Sequence, residues 1–262
     1  MQMNLKRQKV FDMQEEIILK VEKLNKTFGG LKATDNVNYE MINGELSAII
    51  GPNGAGKSTF FNLLTGYHAV DSGKVFFKGR DITNWPPYKI TRLGITRAFQ
   101  VSNIYPALTT YENIRQAILT EQNKTLNFFT PAERLAKKET LELLEIIGLS
   151  QNANMIAGNL SQGDKKRLEL AIALGSKPEL LFLDEPTAGM SGEETHETMK
   201  LVKRLNKEMG LTILFTEHDM SVVFSYARRL TVLHQGAVIA GGTPEEVRAN
   251  ETAQKVYLGE EA

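Results

Sequence analysis

The sequence predicts an α/β protein with a mostly parallel sheet and an inserted helical subdomain. Residues 45–50 form an apolar strand that runs directly into a glycine-rich loop at 51–59. Two later apolar runs, 180–183 and 211–215, are expected to be parallel strands buried on both faces. Between the loop and these strands, residues 111–148 carry a helical pattern. Strands and helices that alternate around a helix-only insert indicate this fold class.

Three elements follow the first strand in the N-terminal half of the chain. The glycine-rich loop opens a helix, and Gly66 closes it as the residue just after the C-cap. Residues 75–77 suggest a short strand. The turn-rich stretch 79–87 suggests a further short strand and a surface loop.

The helical region has recognisable start and stop signals. Thr130 is a candidate N-cap, with Pro131 at the first helical position and Glu133 at the third. Gly148 ends this helical pattern. A second helix is predicted to start at Ser161, which is also a favoured N-cap residue.

These elements predict one domain with short extensions at both ends. A final helix begins at the capping box formed by Thr243 and Glu246. The first 15 residues mix charged and amide side chains and are expected to be a tail. The predicted parts are a tail at 1–15, a domain at 16–243 with a core (16–99 and 165–243) and a helical subdomain (100–164), and a C-terminal helix and tail at 244–262.

Composition excludes several classes of function. The 262 residues include 31 basic and 31 acidic side chains, so no net charge attracts nucleic acid or an anionic membrane. The absence of cysteine excludes disulfides, thiolate chemistry and Cys-ligated zinc. No stretch approaches the roughly 18 apolar residues of a membrane-spanning helix. We therefore expect a soluble chain with no nucleic-acid partner, which reaches a membrane only through another protein.

The loop at 51–59 has the residue spacing of a phosphate-binding loop. Gly51 and Gly56 bracket four residues, and Lys57 and Ser58 follow them. Glycines let backbone N–H groups approach phosphate oxygens, and the helix N-terminus behind them adds positive potential. Lys57 is expected to reach the β- and γ-phosphates, and the Ser58 hydroxyl to ligate Mg²⁺. The ATP-binding residues expected here are Asn53, Gly54, Ala55, Gly56, Lys57, Ser58 and Thr59.

The apolar run at 180–183 ends in two adjacent acids, Asp184 and Glu185. A buried strand holds Asp184 at its tip beside the phosphate loop, where it is expected to bind Mg²⁺ through water. Glu185 is then placed to take a proton from the attacking water. In the alternative interpretation, the two acids only cap a strand in a solvated turn. The phosphate loop upstream favours the catalytic interpretation.

Four motifs in one order resemble the ATPase subunits of ABC transporters. They are the phosphate loop, residues 160–163, the acids at 184–185, and His218 after the strand at 211–215. The resemblance covers about residues 16–258. It implies a P-loop NTPase fold with a RecA-like core and a small antiparallel sheet. It also implies that the chain binds ATP and Mg²⁺ and hydrolyses ATP to drive transport.

The same resemblance assigns roles to residues outside the phosphate loop. Gln100 resembles the glutamine that links the core to the helical subdomain, and it joins Ser58 and Asp184 as an implied Mg²⁺ residue. His218 resembles the histidine that bridges the γ-phosphate and the catalytic glutamate, here Glu185. The remaining histidines lack such a context and are interpreted as structural: His68, His196 and His234.

Phe28 aligns with the aromatic residue that stacks on adenine in this family. Stacking explains a ring at this position. Alternatively, Phe28 is only a strand residue of the small sheet.

A head-to-tail dimer that closes over two ATP molecules is also implied by the resemblance. In that dimer, Ser161, Gln162 and Gly163 contact the γ-phosphate held by a second ATPase subunit, which is identical or homologous. A helix N-terminus at Ser161 suits an anion. Ser161 is alternatively a plain N-cap, and the two roles are compatible.

Two positions depart from the family pattern. Gln162 and Asp164 flank Gly163, where relatives commonly have glycine and glutamine. Because Asp164 would repel a nearby phosphate, its side chain is expected to face away from the nucleotide. Ser191 stands where many relatives have aspartate, which removes the acid that usually braces the dimer partner.

Several short stretches resemble the ATPase subunits of branched-chain amino acid importers and their urea-uptake relatives. They lie at residues 28–31, 93–99, 187–190, 217–220 and 256–259. Such importers combine two ATPase subunits with transmembrane permease subunits and a separate solute-binding protein. The resemblance implies uptake of branched-chain amino acids or a related small polar solute, with urea or short amides as the alternative. The chain is then expected at the cytoplasmic face of the inner or plasma membrane, as a peripheral subunit.

Residues 101–115 follow Gln100, where such subunits meet the membrane partner. Ile104, Tyr105 and Leu108, with few charges around them, fit a docking surface. The alternative is that this stretch belongs to the core of the helical subdomain. A role of the whole chain in DNA repair or translation is a further alternative. It is disfavoured by the single ATPase unit, the lack of cysteine and the balanced charge.

Overall fold

The computed structural model of this chain describes residues 16–98, 104–121 and 136–258. The strands are β1 (Ile17–Phe28), β2 (Leu31–Ile42), β3 (Leu46–Ile50), β4 (Ser72–Phe77), β5 (Arg80–Asp81), β6 (Ile95–Ala98), β7 (Leu180–Asp184), β8 (Thr212–Thr216), β9 (Arg229–His234) and β10 (Ala237–Gly242). The helices are α1 (Lys57–Leu64), α2 (Pro87–Arg92), α3 (Thr110–Glu121), α4 (Lys137–Ile146), α5 (Gln162–Gly175), α6 (Gly192–Met209), α7 (Met220–Tyr226), α8 (Pro244–Ala249) and α9 (Glu251–Leu258).

The strands form one large sheet and one small sheet. The large sheet has the order β10-β9-β3-β8-β7-β6, and all neighbours are parallel except β10, which runs antiparallel to β9. The small sheet, β2-β1-β4-β5, is antiparallel throughout. The predicted α/β class, with a mostly parallel sheet and a small antiparallel sheet, is confirmed.

The strand order refines the predicted position of the acid at 184. Strand β8 lies between β3, which leads into the phosphate loop, and β7, which ends in Asp184. The two strands are therefore not adjacent, and β8 separates Asp184 from the strand that leads into the phosphate loop. Their carboxyl ends still share one edge of the sheet, because β3, β8 and β7 are parallel.

The apolar strands are buried on both faces, as predicted. In β7, Leu181 and Leu183 pack into a core shared with helices of the 110–175 region, whereas Leu180 and Phe182 pack into a core shared with α1 and the small sheet. Side chains alternate between the faces of a strand, so each face needs its own apolar residues. This two-sided burial explains the continuous apolar run.

Several predicted helix boundaries are confirmed. Ser161 is the N-cap of α5, and its hydroxyl oxygen accepts a bond from the N–H of Asp164. Thr243 forms the predicted capping box at the start of α8. Gly66 and Gly148 follow the C-caps of α1 and α4 with left-handed backbones.

The single C-terminal helix predicted after Thr243 is wrong in its extent. Two short helices, α8 and α9, occupy this part of the chain. Asn250 separates them with an extended backbone, at φ −79° and ψ 114°, which breaks the helical path. The predicted tail at 1–15, the helix start at Thr130 and the residue Gln100 lie outside the described residues.

Helices α3, α4 and α5 pack on one another on one side of the large sheet. The predicted boundary between residues 164 and 165 lies in the first turn of α5. Among the described residues, no helix has the length and apolar character needed to cross a membrane.

Candidate functional site

The phosphate loop joins the end of β3 to the start of α1. A Cβ atom on Gly51 would lie 2.1 Å from the carbonyl oxygen of Leu233, and one on Gly56 would lie 2.3 Å from that of Ala33. Gly56 also has φ +103°, a backbone conformation that other residues rarely adopt. The loop is thus threaded between two backbone segments, and only glycine fits at these two positions.

Lys57 crosses the phosphate loop and is buried. Its ammonium group donates hydrogen bonds to the carbonyl oxygens of Gly51 and Pro52. Ser58 follows on the exposed side of the first turn of α1, and no acidic residue lies in that turn. The helix N-terminus therefore presents N–H groups and cationic potential without a competing carboxylate.

Asp184 is buried at the end of β7 and is held by partners from two neighbouring elements. Its Oδ1 accepts a bond from the Thr216 hydroxyl at 2.7 Å. Its Oδ2 pairs with the guanidinium of Arg97 at 2.6 Å. Arg97 also donates to Oδ1 of Asn62 in α1 at 2.5 Å. Asp184 is thereby tied, through Arg97, to the helix that follows the phosphate loop.

The oxygen donors predicted to bind Mg²⁺ have suitable chemistry. Ser58 offers an exposed hydroxyl, and a carboxylate such as that of Asp184 has about four lone-pair sites for its partners. Thr216 and Arg97 use two of these sites, which leaves acceptor capacity for a metal-bound water. Oxygen donors, few of them from protein, are what Mg²⁺ prefers in nucleotide sites.

Glu185 and His218 form a hydrogen-bonded pair at the same sheet edge. Oε1 of Glu185 lies 2.5 Å from Nε2 of His218, and both side chains are partly exposed. Glu185 has φ +51°, a left-handed backbone. Its N–H donates to the carbonyl and hydroxyl oxygens of Thr216, both at 3.1 Å. The structure thus brings together the two residues that the sequence predicts to be catalytic.

Phe28 ends β1 and is 42% exposed. The ring of His68 meets it edge-on, with centroids 5.3 Å apart, and the Lys26 ammonium lies 5.3 Å from its centroid. Phe28 is therefore a strand residue that also presents a partly open ring, and its adenine-stacking role stays a prediction. His68, which the sequence analysis treats as structural, belongs to this aromatic cluster.

The segment 161–163 contacts the start of α6 in the same chain. A Cβ on Gly163 would lie 3.3 Å from Oε1 of Glu194. Glu194 forms a capping box with Ser191, whose backbone N–H and hydroxyl lower the pKa of this exposed carboxyl. Asp164 accepts a bond from the side chain of Asn152 at 3.4 Å, so it turns towards the 3₁₀ turn Ser150–Asn152.

Sequence reasoning missed several residues that support the candidate site. Arg97 and Thr216 hold Asp184, and Glu217 bonds to Thr187. One signal was available for Arg97: it is the one charged residue of the short strand at 95–98. A charge in such a place needs a partner when it is buried.

Comparison with known proteins agrees with this geometry. A family model described as ABC transporter matches residues 34–188, which is more than half of the chain. A second model, described as branched-chain amino acid ATP-binding cassette transporter, matches residues 237–262.

Two curated relatives match the chain almost end to end. The high-affinity branched-chain amino acid transport ATP-binding protein BraF of Pseudomonas aeruginosa is 39% identical, covering 93% of this chain and 98% of the relative. LivG of Escherichia coli K12, which carries the same description, is 41% identical over 93% of this chain and 98% of the relative.

Solved structures show the same fold. The ADP conformation of MJ1267, an ATP-binding cassette of an ABC transporter, aligns with TM-score 0.83 and 34% identity, covering 93% of this chain and 99% of that one. A dimeric structure of the bacterial ABC transporter cassette MJ0796 aligns with TM-score 0.74 and 29% identity, covering 86% and 98%. On the family match and the near-complete relatives, this chain belongs to the ATP-binding cassette subunits of ABC transporters.

Proposed function

We propose that this chain is the ATP-hydrolysing subunit of an ABC importer that takes up branched-chain amino acids or a related small polar solute. The observation that carries the solute class is the near end-to-end match to BraF and LivG, together with the C-terminal match at residues 237–262. We place the chain at the cytoplasmic face of a membrane, bound to permease subunits and served by a solute-binding protein.

In this proposal, the phosphate loop holds the nucleotide through backbone N–H groups and Lys57. Phe28, at the end of β1, stacks on the adenine, and its partly exposed ring supports that role. Ser58, Asp184 and Gln100 would hold Mg²⁺, which neutralises charge on the phosphates when it is bound. The core (16–99 and 165–243) carries all of these groups except Gln100, which starts the proposed helical subdomain (100–164).

Glu185 acts as the general base, and His218 orients it and reaches the γ-phosphate. The 2.5 Å bond between the two side chains supports this pairing. Because both side chains are partly exposed, a water molecule and a phosphate can reach them. General-base assistance of this kind contributes about 10²–10⁴-fold to a rate.

The remaining phosphate ligands come from a second ATPase subunit. Ser161, Gln162 and Gly163 of that subunit contact the γ-phosphate in a head-to-tail dimer. Ser161 and Gln162 are exposed at the start of α5, and the N–H groups of Gln162 and Gly163 have no partner within the helix, which supports this role. Gly163 itself is buried in the single chain.

Part of the stretch at 101–115 forms the docking surface for the permease. Tyr105 is 57% exposed, whereas Ile104 packs against the core and Ile114 is fully buried. The described residues of this stretch therefore divide into an exposed tip and an inner side. We assign the exposed tip to the membrane partner.

The test of hydrolysis is the substitution Glu185→Gln, which keeps the side-chain shape and removes the base. We expect turnover to be abolished while ATP stays bound and holds a stable dimer, measured by phosphate release and light scattering. Hydrolysis at a near-normal rate in this variant would rule out Glu185 as the base.

The test of the in-trans role is Ser161→Arg, which adds bulk and charge at the start of α5. We expect normal nucleotide binding to the monomer and no ATP-driven dimer. An ATP-dependent dimer of this variant would show that the segment 161–163 does not act across subunits.

The test of the transported solute uses the membrane proteins that co-purify with the full chain. In proteoliposomes with their solute-binding protein, we expect ATP-dependent uptake of labelled leucine and not of urea. Uptake of urea alone would overturn the proposed solute. The absence of any membrane partner, together with clean binding to DNA or ribosomes, would overturn the transport role.

A further inference from the structure

Glu217 is a buried acid that the functions above do not use. It follows the last residue of β8 and is 4% exposed. Its Oε1 accepts bonds from the backbone N–H and the hydroxyl of Thr187, at 2.9 and 2.6 Å. Its Oε2 accepts a bond from the backbone N–H of His218 at 3.2 Å. A carboxylate is costly to bury unless such donors compensate it, so this arrangement is specific to an acid with two acceptor oxygens.

The two bonds from Thr187 connect the two segments that carry the candidate catalytic pair, and the bond from His218 fixes Glu217 within its own segment. Thr187 lies two residues after Glu185 in the segment that follows β7, and His218 lies in the segment that follows β8. Glu217 therefore joins the two segments through their backbones, while the Glu185–His218 bond joins them through side chains. The two links involve residues that are close in sequence, and both join the segment after β7 to the segment after β8.

The backbone at Glu185 needs such support. Its φ of +51° is unfavourable for a glutamate, and strained backbones persist only where the surroundings determine them strongly. On the N-terminal side of the strained residue, Thr216 accepts hydrogen bonds from the Glu185 N–H. Downstream of it, Glu217 holds the N–H and hydroxyl of Thr187. The strained residue is thus fixed on both sides.

We propose that Glu217 is a positioning residue that holds Glu185 and His218 in hydrogen-bonding register for hydrolysis, an inference that rests on the proposed role of Glu185 as the base. Glu217 is buried away from the reacting atoms and acts only through the two segments it joins. Displacing a reacting group by about 1 Å can cost on the order of 100-fold in rate. The hydrogen bonds of Glu217 therefore affect turnover more than nucleotide affinity.

The side-chain chemistry predicts a graded series of variants. Glu217→Ala removes all three bonds. Glu217→Gln keeps an acceptor oxygen for the two bonds from Thr187 but turns an NH₂ donor towards the N–H of His218, so the bond from His218 is lost. Thr187→Val removes only the hydroxyl bond. Thr140→Val, which removes a buried hydroxyl bond within α4, is the matched control for the loss of a buried threonine hydroxyl.

The experiment measures ATP turnover, ATP affinity and thermal stability on the full-length variants. We expect Glu217→Ala to lower kcat by about 10- to 100-fold, Glu217→Gln and Thr187→Val to fall between it and the wild type, and ATP affinity to change by less than about twofold. Thr140→Val is expected to keep the wild-type kcat. Should Glu217→Ala fail to fold, Thr187→Val and Glu217→Gln decide the question. Wild-type kcat in the folded variants, or kcat and affinity that fall together, would overturn the positioning role.

A combined substitution separates this inference from the proposed function. If Glu217 acts only through Glu185 and His218, then adding Glu217→Ala to a variant that already carries Glu185→Gln and His218→Ala does not slow the residual rate further, because both positioned groups are already absent. A further drop in the residual rate would overturn the inference. Near-normal turnover of Glu185→Gln itself is a different result, since it refutes the role of Glu185 as the general base. The effect of the Glu217 variants is then judged by their own kcat.

Discussion

The buried ion pair between Arg97 and Asp184 offers a quantitative test of how the site is built. The side chains are 8% and 9% exposed, and their nearest N and O atoms are 2.6 Å apart. Arg97 also bonds to Asn62 at 2.5 Å and lies 5.5 Å from the ring centroid of Phe61. The proposed perturbation is Arg97→Met, which keeps much of the side-chain length and removes the charge.

The expected loss of stability follows from the contacts. Removing one partner of a buried ion pair costs about 3–5 kcal/mol, because the other charge stays buried. Loss of the bond to Asn62 adds about 1 kcal/mol. Against this, Nε of Arg97 is buried with no hydrogen-bond partner among the described residues, and removing such a group returns about 1–3 kcal/mol. We expect a net loss of about 3 kcal/mol in the free energy of unfolding.

Urea unfolding followed by the fluorescence of Trp85, the only tryptophan of the chain, measures this loss. The control is the double variant Arg97→Met with Asp184→Asn. It removes both charges and keeps a partner for the Thr216 hydroxyl, so it should recover at least half of the lost stability. A loss below about 1 kcal/mol for Arg97→Met would refute the reasoning, because that is the size expected of a solvent-exposed pair. No recovery in the double variant would refute it as well.

Two further predictions concern the phosphate loop and the segment after His218. Gly56→Ala is expected to abolish ATP binding because its Cβ would lie 2.3 Å from a β2 carbonyl oxygen, whereas Gly54→Ala meets no atom within 4 Å and should retain more binding in the same titration. Asp219 caps α7, and the hydroxyl of Ser221, ahead of the backbone N–H groups, lowers the pKa of its carboxyl. Because the pKa of this carboxyl is lower in the folded state, its contribution to stability is fully present above the unfolded-state pKa and is lost as pH falls through the folded-state pKa. Asp219→Ala should therefore cost about 1 kcal/mol of unfolding free energy at pH 7 and progressively less below about pH 4. A pH-independent difference in urea midpoint would contradict the assignment.

The sequence predicts the elements whose signals are local. Ser161 starts a helix because its hydroxyl caps the N–H three residues later, and this needs no knowledge of the fold. The glycines of the phosphate loop and the apolar run of β7 are likewise readable within a few residues. For the same reason, the residues predicted to bind phosphate form one continuous segment, which runs from the loop after β3 into the first turn of α1.

The N-terminal hairpin shows where local signals become weak. β1 and β2 are joined by Gly29 and Gly30, a pair typical of two-residue hairpin turns, yet neither strand is predicted from the sequence, apart from the alternative that Phe28 is a strand residue of the small sheet. The register of this hairpin shifts at several points, which breaks the alternation of apolar and polar residues. Without regular alternation, the strand pattern is hard to recognise.

The supporting residues of the site depend on strand order, which the sequence does not display. Arg97 and Asp184 are 87 residues apart, and Thr187 and Glu217 are 30 apart. They meet only because β7 lies between β6 and β8 in the sheet. The candidate catalytic groups can therefore be named from motifs, whereas the residues that orient them become visible only in the folded chain.

In the proposed head-to-tail dimer, the start of α5 in one subunit completes the hydrolytic site of the other. The Ser161 oxygen accepts a bond from Asp164 within its own helix, at 3.1 Å. The hydroxyl proton of Ser161 and the N–H of the exposed Gln162 lie outside the helical ladder and remain able to donate to an anion. Capping and the proposed phosphate binding would thus use different atoms of one segment. Ser161→Ala should accordingly cost about 1 kcal/mol of stability and weaken the ATP-dependent dimer less than Ser161→Arg, because it spares the backbone donors.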